Sequence, residues 1–194
     1  MSIQQRRERE RSRRHELIVD TARELAEAQG WDAVTTRRLA ERIEYSQPVL
    51  YSHFAGKDAI VTAVAVQGFA ELAAELARAR DAAATPAAAL HAAARTYLAF
   101  ADSHPAVYDA MFTQTTDLPF AQPDAPAPLQ EAFTQLGEAL APFAGTRDPD
   151  TLAEVGWAAL HGQVTLARGG RLRPEHLEQR LAMLVEQLVT QPER

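Results

Sequence analysis

Apolar residues recur every three or four positions through most of this chain, and glycine or proline separates the stretches in which they do so. This spacing places the apolar side chains along one face of an α-helix. No stretch alternates apolar and polar residues as a half-buried strand does, and no internal repeat is found. The sequence predicts an all-α fold of about nine helices: at about 12–29, after Thr35, after Ser46, and at about 57–83, 86–102, 105–112, 129–143, 150–168 and 174–190. The proline-rich stretch 117–128 is expected to be a loop.

Local signals mark the ends of the first three helices. Gly30 stands where the first helix needs a left-handed residue, and Trp31 follows where a contact back onto the last turn is usual. Thr35 can accept a hydrogen bond from a free backbone N–H of the second helix, and Ser46 can do the same for the third. Pro48 is tolerated in the first turn, because its missing N–H has no partner there. Only a few residues remain for the turn between these two helices.

The absence of cysteine excludes a disulfide framework, a zinc finger and a thiol nucleophile, and it favours a reducing compartment, the cytoplasm. The first residues are rich in arginine rather than apolar, so no signal peptide is expected. The longest apolar stretch, 59–66, is too short to cross a bilayer. We therefore expect no membrane partner.

Charge is distributed unevenly along the chain. Residues 1–57 hold 11 Lys and Arg against 9 Asp and Glu, whereas residues 58–194 hold 9 against 17. A basic N-terminal part followed by an acidic remainder indicates that the N-terminal part binds phosphates. We expect a flexible basic arm over 1–11, a helix-turn-helix domain over 12–56 and a larger helical domain over 57–194. The arm can be a solvated tail, since Glu8 and Glu10 partly cancel its charge, or it can reach phosphate or the minor groove.

The segment 35–57 carries the side chains expected of a helix-turn-helix, in which the second of two short helices lies in the major groove. Gln47 lies at the start of that helix, and its amide can bond an adenine edge bidentately. Tyr51, His53 and Lys57 follow where hydroxyl, imidazole and ammonium groups can meet phosphates. Lys57, at a helix start, adds charge to a natural anion site.

This segment resembles the DNA-binding domain of the TetR family of bacterial transcriptional regulators, on its Thr-led second helix, its Leu-Tyr-x-His-Phe third helix and the lysine that opens the fourth. The resemblance implies base reading by Arg37 and Gln47 and contact of Pro48 with a thymine methyl. The family commonly has glycine in the turn, where this chain has Glu44, and glutamate is costlier at positive φ. The expected DNA-binding residues are Thr35, Thr36, Arg37, Tyr45, Ser46, Gln47, Pro48, Tyr51, His53 and Lys57.

Beyond residue 60 the resemblance is architectural, and it implies a divergent helical domain for ligand binding and dimerisation. The spacing of Trp157, His161 and Gly162 resembles the WHG-type C-terminal domain of some family members. The aromatic side chains of this region are either core residues or the lining of a pocket for a small apolar effector. The candidate pocket residues are Phe69, Tyr97, Phe100, Tyr108, Met111, Phe112, Trp157 and His161.

The last two helices each carry two apolar stripes, more than one small domain can cover. Pairing with the same helices of a second subunit would give a two-fold four-helix seam and a homodimer. The expected interface residues are Leu160, Val164, Leu177, Leu181, Leu184 and Leu188.

No motif for catalysis, for a phosphate-binding loop or for a dinucleotide occurs, and the histidines lack metal-ligand spacing, so we expect neither an enzyme, a cofactor nor a metal. The sequence predicts a dimeric regulator, a repressor, that binds palindromic operator DNA and is released by a small molecule. Two alternatives remain: an all-α enzyme or small-molecule-binding protein with a vestigial helix-turn-helix, and a regulator that activates or acts without a ligand.

Overall fold

A computed structural model of the chain describes residues 2–114, 116, 118–120 and 122–190. Within these residues it contains nine α-helices and no strand, which confirms the predicted all-α class. The helices are α1 (Ile3–Gln29), α2 (Thr36–Arg42), α3 (Gln47–Tyr51), α4 (Lys57–Asp81), α5 (Pro86–Ser103), α6 (Pro105–Phe112), α7 (Ala127–Leu140), α8 (Pro149–Arg168) and α9 (Leu177–Val189). Positions 117 and 121 of the predicted loop lie outside the described residues.

The chain divides into two compact units. The first holds the chain up to Gly68 together with His104–Asp124, and the second holds Phe69–Ser103 and the chain from Ala125. The expected boundary at residue 57 differs from this division, because the sequence could not show that α6 packs on α1. The boundary between the units therefore lies within α4, and α6 belongs to the first unit.

The expected flexible arm is helical from Ile3 onwards, which corrects the prediction for residues 2–11. A capping box starts α1: the Ser2 hydroxyl accepts from the Gln5 backbone N–H at 3.2 Å, and the Gln5 amide oxygen accepts from the Ser2 N–H at 3.0 Å. Arg14 and Glu10, one turn apart, form an ion pair at 2.7 Å. Arginine, glutamate and glutamine are strong helix formers, so a run of them need not be flexible. Position 1 of the arm lies outside the described residues.

In the first unit, α1, α2, α3 and the start of α4 form the core. Ile18, Leu25, Leu39, Leu50 and Ile60 are each at most 1% exposed. This burial is what the three-to-four-residue spacing of apolar positions predicts.

A short 3-10 turn, Trp31–Ala33, follows α1. Gly30 has the positive φ expected after α1, 79°, but its ψ of 164° differs from that of a left-handed helical residue. The buried Trp31 ring donates its Nε1–H to the Ala106 carbonyl at 2.8 Å and so fastens α6 to the end of α1. Gly68 lies against α6 so closely that a Cβ there would stand 2.4 Å from the Val107 side chain. A side chain at position 68 would therefore push α6 away.

In the second unit, α5 packs on α7, α8 and α9, and α7 packs on α8. Gly156 of α8 allows a close approach to α7, since a Cβ there would lie 2.7 Å from Leu140 Cδ1. The Arg147 guanidinium donates to the Leu188 carbonyl at 3.1 Å and so binds the end of α9. These contacts build a helical core around α5.

One helix in the described part of the chain, α4, is long and apolar enough by length and composition to cross a membrane. The sequence did not predict such a helix, because the prediction rested on the length of apolar stretches, and Thr62 and Gln67 interrupt those of α4. Half of its apolar window is buried inside the protein, as is usual for a core helix.

Candidate nucleic-acid interface

The two short helices begin as the sequence predicts, but only one has a side-chain cap. The Thr35 hydroxyl accepts from the Arg38 backbone N–H at 3.2 Å. Ser46 occupies the cap position of α3 without a side-chain hydrogen bond, contrary to expectation. Pro48 supplies no N–H there, and the Val49 N–H donates to the Ser46 carbonyl at 3.0 Å instead. The Ser46 hydroxyl at the start of α3 is therefore not used in capping.

The turn between α2 and α3 passes through a left-handed residue. Glu44 has a φ of 57°, and it is the only non-glycine residue with positive φ in the described part of the chain. The Tyr45 backbone N–H then donates to the Ala40 carbonyl at 2.9 Å and closes the turn. The glutamate is thus held in a conformation that costs a residue with a Cβ about 1–2 kcal/mol.

The side chains expected to meet base edges stand at the surface. Gln47 and Pro48, in the first turn of α3, are exposed. Arg37 is exposed as well, and its Nε donates to the Glu41 carboxylate at 2.9 Å one turn along α2. An exposed pair of this kind contributes little stability, so the guanidinium can exchange Glu41 for another acceptor at small cost.

Tyr51 connects the two short helices. Its hydroxyl lies 3.4 Å from the Thr36 hydroxyl at the start of α2, while the ring is 54% exposed. The structure therefore brings together two of the residues that the sequence predicts to bind DNA, on one edge of the α2–α3 pair.

His53, just after α3, lies in a basic and aromatic cluster. The ring of His15 stacks on Phe54 with centroids 4.4 Å apart and lies 6.5 Å from the His53 ring. Burial lowers the pKa of His53, and the neighbouring charges of Arg11, His15 and Arg14 lower it further. The neutral imidazole is thus favoured until an anion approaches.

Lys57 is held by the chain itself. Its Nζ donates to the Trp31 carbonyl at 2.6 Å, in a partly buried position. The ammonium has two further donors. A phosphate contact by Lys57 stays a prediction, and the structure adds a second role, the attachment of α4 to the end of α1.

The sequence alone assigned no individual role to Arg14 of α1 or to Arg38 of α2. The Arg14 guanidinium lies 5.9 Å from the centre of the Tyr45 ring. Arg38 donates to the Ala33 carbonyl at 3.1 Å and to the Gln29 amide oxygen at 2.8 Å. The spacing of arginines along α1 was a signal for the contact of Arg14 with Tyr45. No sequence signal identifies the contacts of Arg38.

The candidate effector residues divide between the two units. In the first unit Tyr108 and Met111 are buried, and the Tyr108 and Phe112 rings lie 4.7 Å apart at a tilt of 55°. In the second unit Phe69 and Phe100 are buried. Burial of this kind is compatible with core packing and with the wall of a pocket, so the effector role of these residues stays a prediction.

Trp157, in α8, makes the most specific contact of this group. Its indole Nε1–H donates to the Tyr97 hydroxyl at 3.1 Å, and its ring lies 6.2 Å from that of His161. Burial lowers the pKa of His161, and the charge of Arg168 adds to the effect. The Arg168 guanidinium itself donates to the Ala101 carbonyl at 2.5 Å. The cluster combines aromatic surface with polar atoms, as small-molecule sites do.

The residues expected at a dimer interface do not share one environment. Four of the six are buried inside the second unit of a single chain: Leu160, Val164, Leu181 and Leu188. Leu184 is half-buried, and Leu177 is exposed. Since α8 and α9 each carry two apolar stripes, periodicity could not tell which stripe the same chain covers. The exposed large apolar residues of these helices are Val155, Leu166, Leu177 and Met183.

Across the described residues, no group of three or more histidine, aspartate or glutamate side chains is placed to hold a metal ion.

Comparison with known proteins relates the two parts of the chain to one family. Residues 18–64 match the model of bacterial regulatory proteins of the tetR family. Residues 90–191, more than half of the 194 residues, match the model of the tetracyclin repressor-like C-terminal domain. The subtype of C-terminal domain suggested by Trp157 and His161 is not tested by this description.

Among similar proteins, the class C tetracycline repressor protein of Escherichia coli is 48% identical over 50 residues, which cover 26% of this chain and 23% of that protein. The HTH-type transcriptional regulator YobS of Bacillus subtilis is 30% identical over 106 residues, 52% of each chain. The chain thus spans about a quarter to a half of the length of these relatives.

Solved structures share the fold over most of the chain. A protein from Rhodococcus sp. RHA1 superimposes with a TM-score of 0.72 at 23% identity, over 90% of this chain and 93% of that one. The TetR family regulator PfmR of Thermus thermophilus gives a TM-score of 0.61 at 17% identity, over 91% and 99%. With family models matched at both its N-terminal and its C-terminal parts, the chain belongs to the TetR family of transcriptional regulators.

Proposed function

We propose that the chain is a repressor that binds palindromic operator DNA as a homodimer in the cytoplasm and releases it when a small apolar molecule binds. The observation that carries the proposal is the surface around α3. Gln47 and Pro48 are exposed at its start, Tyr51 is its last residue, and His53 follows beside the positive charge of α1. A helix that offers an amide to base edges, flanked by groups suited to phosphate, has what direct readout in the major groove requires.

Repression is supported by the names of similar proteins. Proteins that are 42–48% identical to this chain over 50 to 52 residues are named tetracycline repressor proteins. Both residues of the Gln47–Pro48 pair lie within residues 18–64, the part that matches the tetR family model. No catalytic motif competes with this role, and we infer that the chain is a regulator rather than an enzyme.

Dimerisation is supported by size and by surface. A helix of five residues reads only a few base pairs, and two copies about 34–36 Å apart would read successive major grooves on one face of the duplex. The exposed apolar side chains of α8 and α9 offer a surface on which a second copy can pack. An operator read by such a pair would be palindromic, because the protein is two-fold symmetric.

Release by a ligand is supported by the Trp157–Tyr97–His161 cluster and by the way α6 is attached to α1. An effector that favours one arrangement of these helices would shift the population toward a dimer whose two α3 helices are wrongly spaced for one operator. In this proposal α4 is the mechanical link, and the distance between the two His53 side chains is its readout in spin-label measurements. A ligand that releases DNA while leaving this distance unchanged would contradict the link.

Selection from random-sequence duplex DNA, followed by gel shift, tests the proposal. We expect a palindrome whose half-site centres lie about one helical turn apart, bound by two copies of the chain. Analytical ultracentrifugation of the complex gives the number of copies. Recovery of no preferred sequence, even at low salt, would overturn the operator-binding function and favour the enzyme or small-molecule-binding alternative.

A further inference from the structure

The first helix extends well beyond the part of the chain that matches the family. The match to the tetR family model begins at residue 18, whereas α1 begins at Ile3. The extension 3–17 amounts to about four helical turns, or roughly 22 Å at 1.5 Å per residue. A helical extension of this length holds its side chains at fixed positions, which a flexible arm would not do.

The side of α1 that faces the core is apolar from Ile18 onwards and basic along the extension. Ile18 and Leu25 are buried on that side, with Ile18 fully covered. Positions 14, 11 and 7 continue the same side toward the N-terminus, because residues three and four apart share a helical face. All three positions are arginine: Arg7, Arg11 and Arg14.

These arginines stand next to the end of the proposed recognition helix. One open groove is lined by Arg7, Glu10, Arg11 and Arg14 of α1 and by Ser52 and His53. Burial lowers the pKa of His53, and the charges of Arg11 and Arg14 lower it further. The extension therefore adds positive charge beside α3 rather than at a remote surface.

Two of the three arginines are not neutralised by the chain. Arg14 pairs with Glu10 at 2.7 Å and lies over the Tyr45 ring. Among the residues that the structure describes, Arg7 and Arg11 form no ion pair with a carboxylate, and both are exposed. Like charges one turn apart on a helix are destabilising, and a bound anion would relieve that repulsion.

We propose that Arg7 and Arg11 bind backbone phosphates of the operator next to the base pairs that α3 reads, so that the α1 extension is a second phosphate-binding surface. The inference rests on the proposed function. Duplex DNA is the fitting partner because the groove is continuous with His53 and Ser52 at the end of α3. Two guanidinium groups carried one turn apart on a helix suit phosphate oxygens, which each of them can bind bidentately.

The double variant Arg7→Ala/Arg11→Ala tests this surface on the full-length chain and its selected operator. Alanine keeps the helix, since it is the best helix former, and circular dichroism checks this. We expect the dissociation constant to rise on the order of tenfold near physiological salt and the slope of log K against log salt to fall by about 1.8, which is about 0.9 for each lost phosphate contact. Ethylation interference on the wild-type complex should show the same phosphates as essential.

The matched control is Arg9→Ala/Arg13→Ala, which removes equal charge from the same helix. Arg9 and Arg13 border one groove with Ser12 and Glu16 and a second groove with Arg14 and Tyr45, and neither groove includes His53. A smaller effect of the control than of the Arg7/Arg11 pair supports the proposal. Equal effects of the two variants, or an unchanged slope for Arg7→Ala/Arg11→Ala, would overturn it.

The test separates this inference from the function on which it rests. If the wild-type chain selects no operator, the proposed function fails, and the same salt slopes can still be measured on unselected duplex. If the wild-type chain selects an operator and Arg7→Ala/Arg11→Ala binds it as tightly, only the second phosphate-binding surface fails.

Discussion

The Glu27 carboxylate, near the end of α1, accepts a hydrogen bond from the Ala106 backbone N–H at 3.1 Å, across 79 residues of sequence. Its second oxygen accepts from the Val107 N–H, also at 3.1 Å. His104 occupies the N-cap position of α6 but makes no side-chain cap hydrogen bond. Glu27 therefore caps α6 in place of a local residue, and its negative charge lies at the positive end of that helix.

Removal of this cap should weaken the first unit. We expect Glu27→Ala to lower the free energy of unfolding by about 1–2 kcal/mol, because two backbone N–H groups lose their acceptor. Glu27→Gln should cost less, since its amide oxygen still accepts one of the two bonds. Urea denaturation measures both changes. Glu24→Ala is the control, because Glu24 is exposed and lies 3.6 Å from Arg42; a loss as large as that of Glu27→Ala would contradict the capping role.

Because Glu44 has a left-handed conformation, replacing it with glycine should stabilise the protein. Glu44→Gly is expected to raise the free energy of unfolding by about 0.5–1 kcal/mol, because glycine removes the steric cost at positive φ but adds entropy to the unfolded chain. Glu44→Ala retains a Cβ and should give no gain. Thermal and urea denaturation test the pair. If both variants stabilise the chain equally, the charge of Glu44 rather than its φ is responsible.

Gln47 should determine sequence preference rather than general affinity. Gln47→Ala is expected to reduce discrimination at one base pair of each half-site by about 1–3 kcal/mol. Binding to a set of operators with single base-pair changes measures this. Tyr51→Phe is the comparison, because loss of a hydroxyl that binds backbone should weaken all sequences alike. A uniform loss for Gln47→Ala would show that Gln47 reads no base.

His53 should make DNA binding depend on pH. Burial and the nearby charges of Arg11, His15 and Arg14 keep its pKa below the ordinary value, so the free protein holds this ring neutral near neutral pH. A phosphate at the ring would raise that pKa, and binding would then take up a proton. We therefore expect tighter binding as pH falls from about 7 through the ordinary histidine pKa of about 6.5.

The gain should stay below about tenfold per pH unit, the limit for one linked proton. His53→Gln should remove this dependence, whereas His15→Gln should keep most of it. Fluorescence anisotropy at constant ionic strength measures both. The same pH profile in wild type and His53→Gln would place the titrating group elsewhere.

The exposed apolar side chains of α8 and α9, which include Met183, should hold the dimer together. Met183→Glu is expected to yield monomers in analytical ultracentrifugation with little change in the unfolding of each chain, because Met183 is 54% exposed. Leu181→Ala should lower stability by about 2–5 kcal/mol instead, since Leu181 is fully buried. A dimer that persists in Met183→Glu would show that subunits pair through another surface.

Local signals predicted most of the helices, and contacts distant in sequence account for what they missed. Gly30, Thr35 and Pro105 mark helix ends through rules that involve only neighbouring residues. The Glu27–Ala106 bond joins residues far apart in sequence, so nothing near position 106 could show that α6 belongs with α1.

Local sequence signals also predicted part of the candidate interface, but not the contacts that depend on how the helices pack. The exposed Gln47 and Pro48 follow from the position of α3 alone. The attachment of Lys57 to the Trp31 carbonyl depends on how α4 packs, and it had no signal in the sequence. The covered stripe of α9 was ambiguous for another reason: Leu181 and Met183 are both apolar, and only the packing of α5 decides which one is covered.

Because Glu27 caps α6, the DNA-binding part of this regulator cannot simply be produced as a short N-terminal fragment. A fragment that stops at Gly68 contains the whole helix-turn-helix, yet it leaves Glu27 without the helix it caps and strips the buried Trp31 indole of its acceptor. A minimal DNA-binding piece would have to include 104–124, grafted after residue 68 through a linker. On the ribosome the same dependence means that the N-terminal unit reaches its final packing only after α6 has left the exit tunnel.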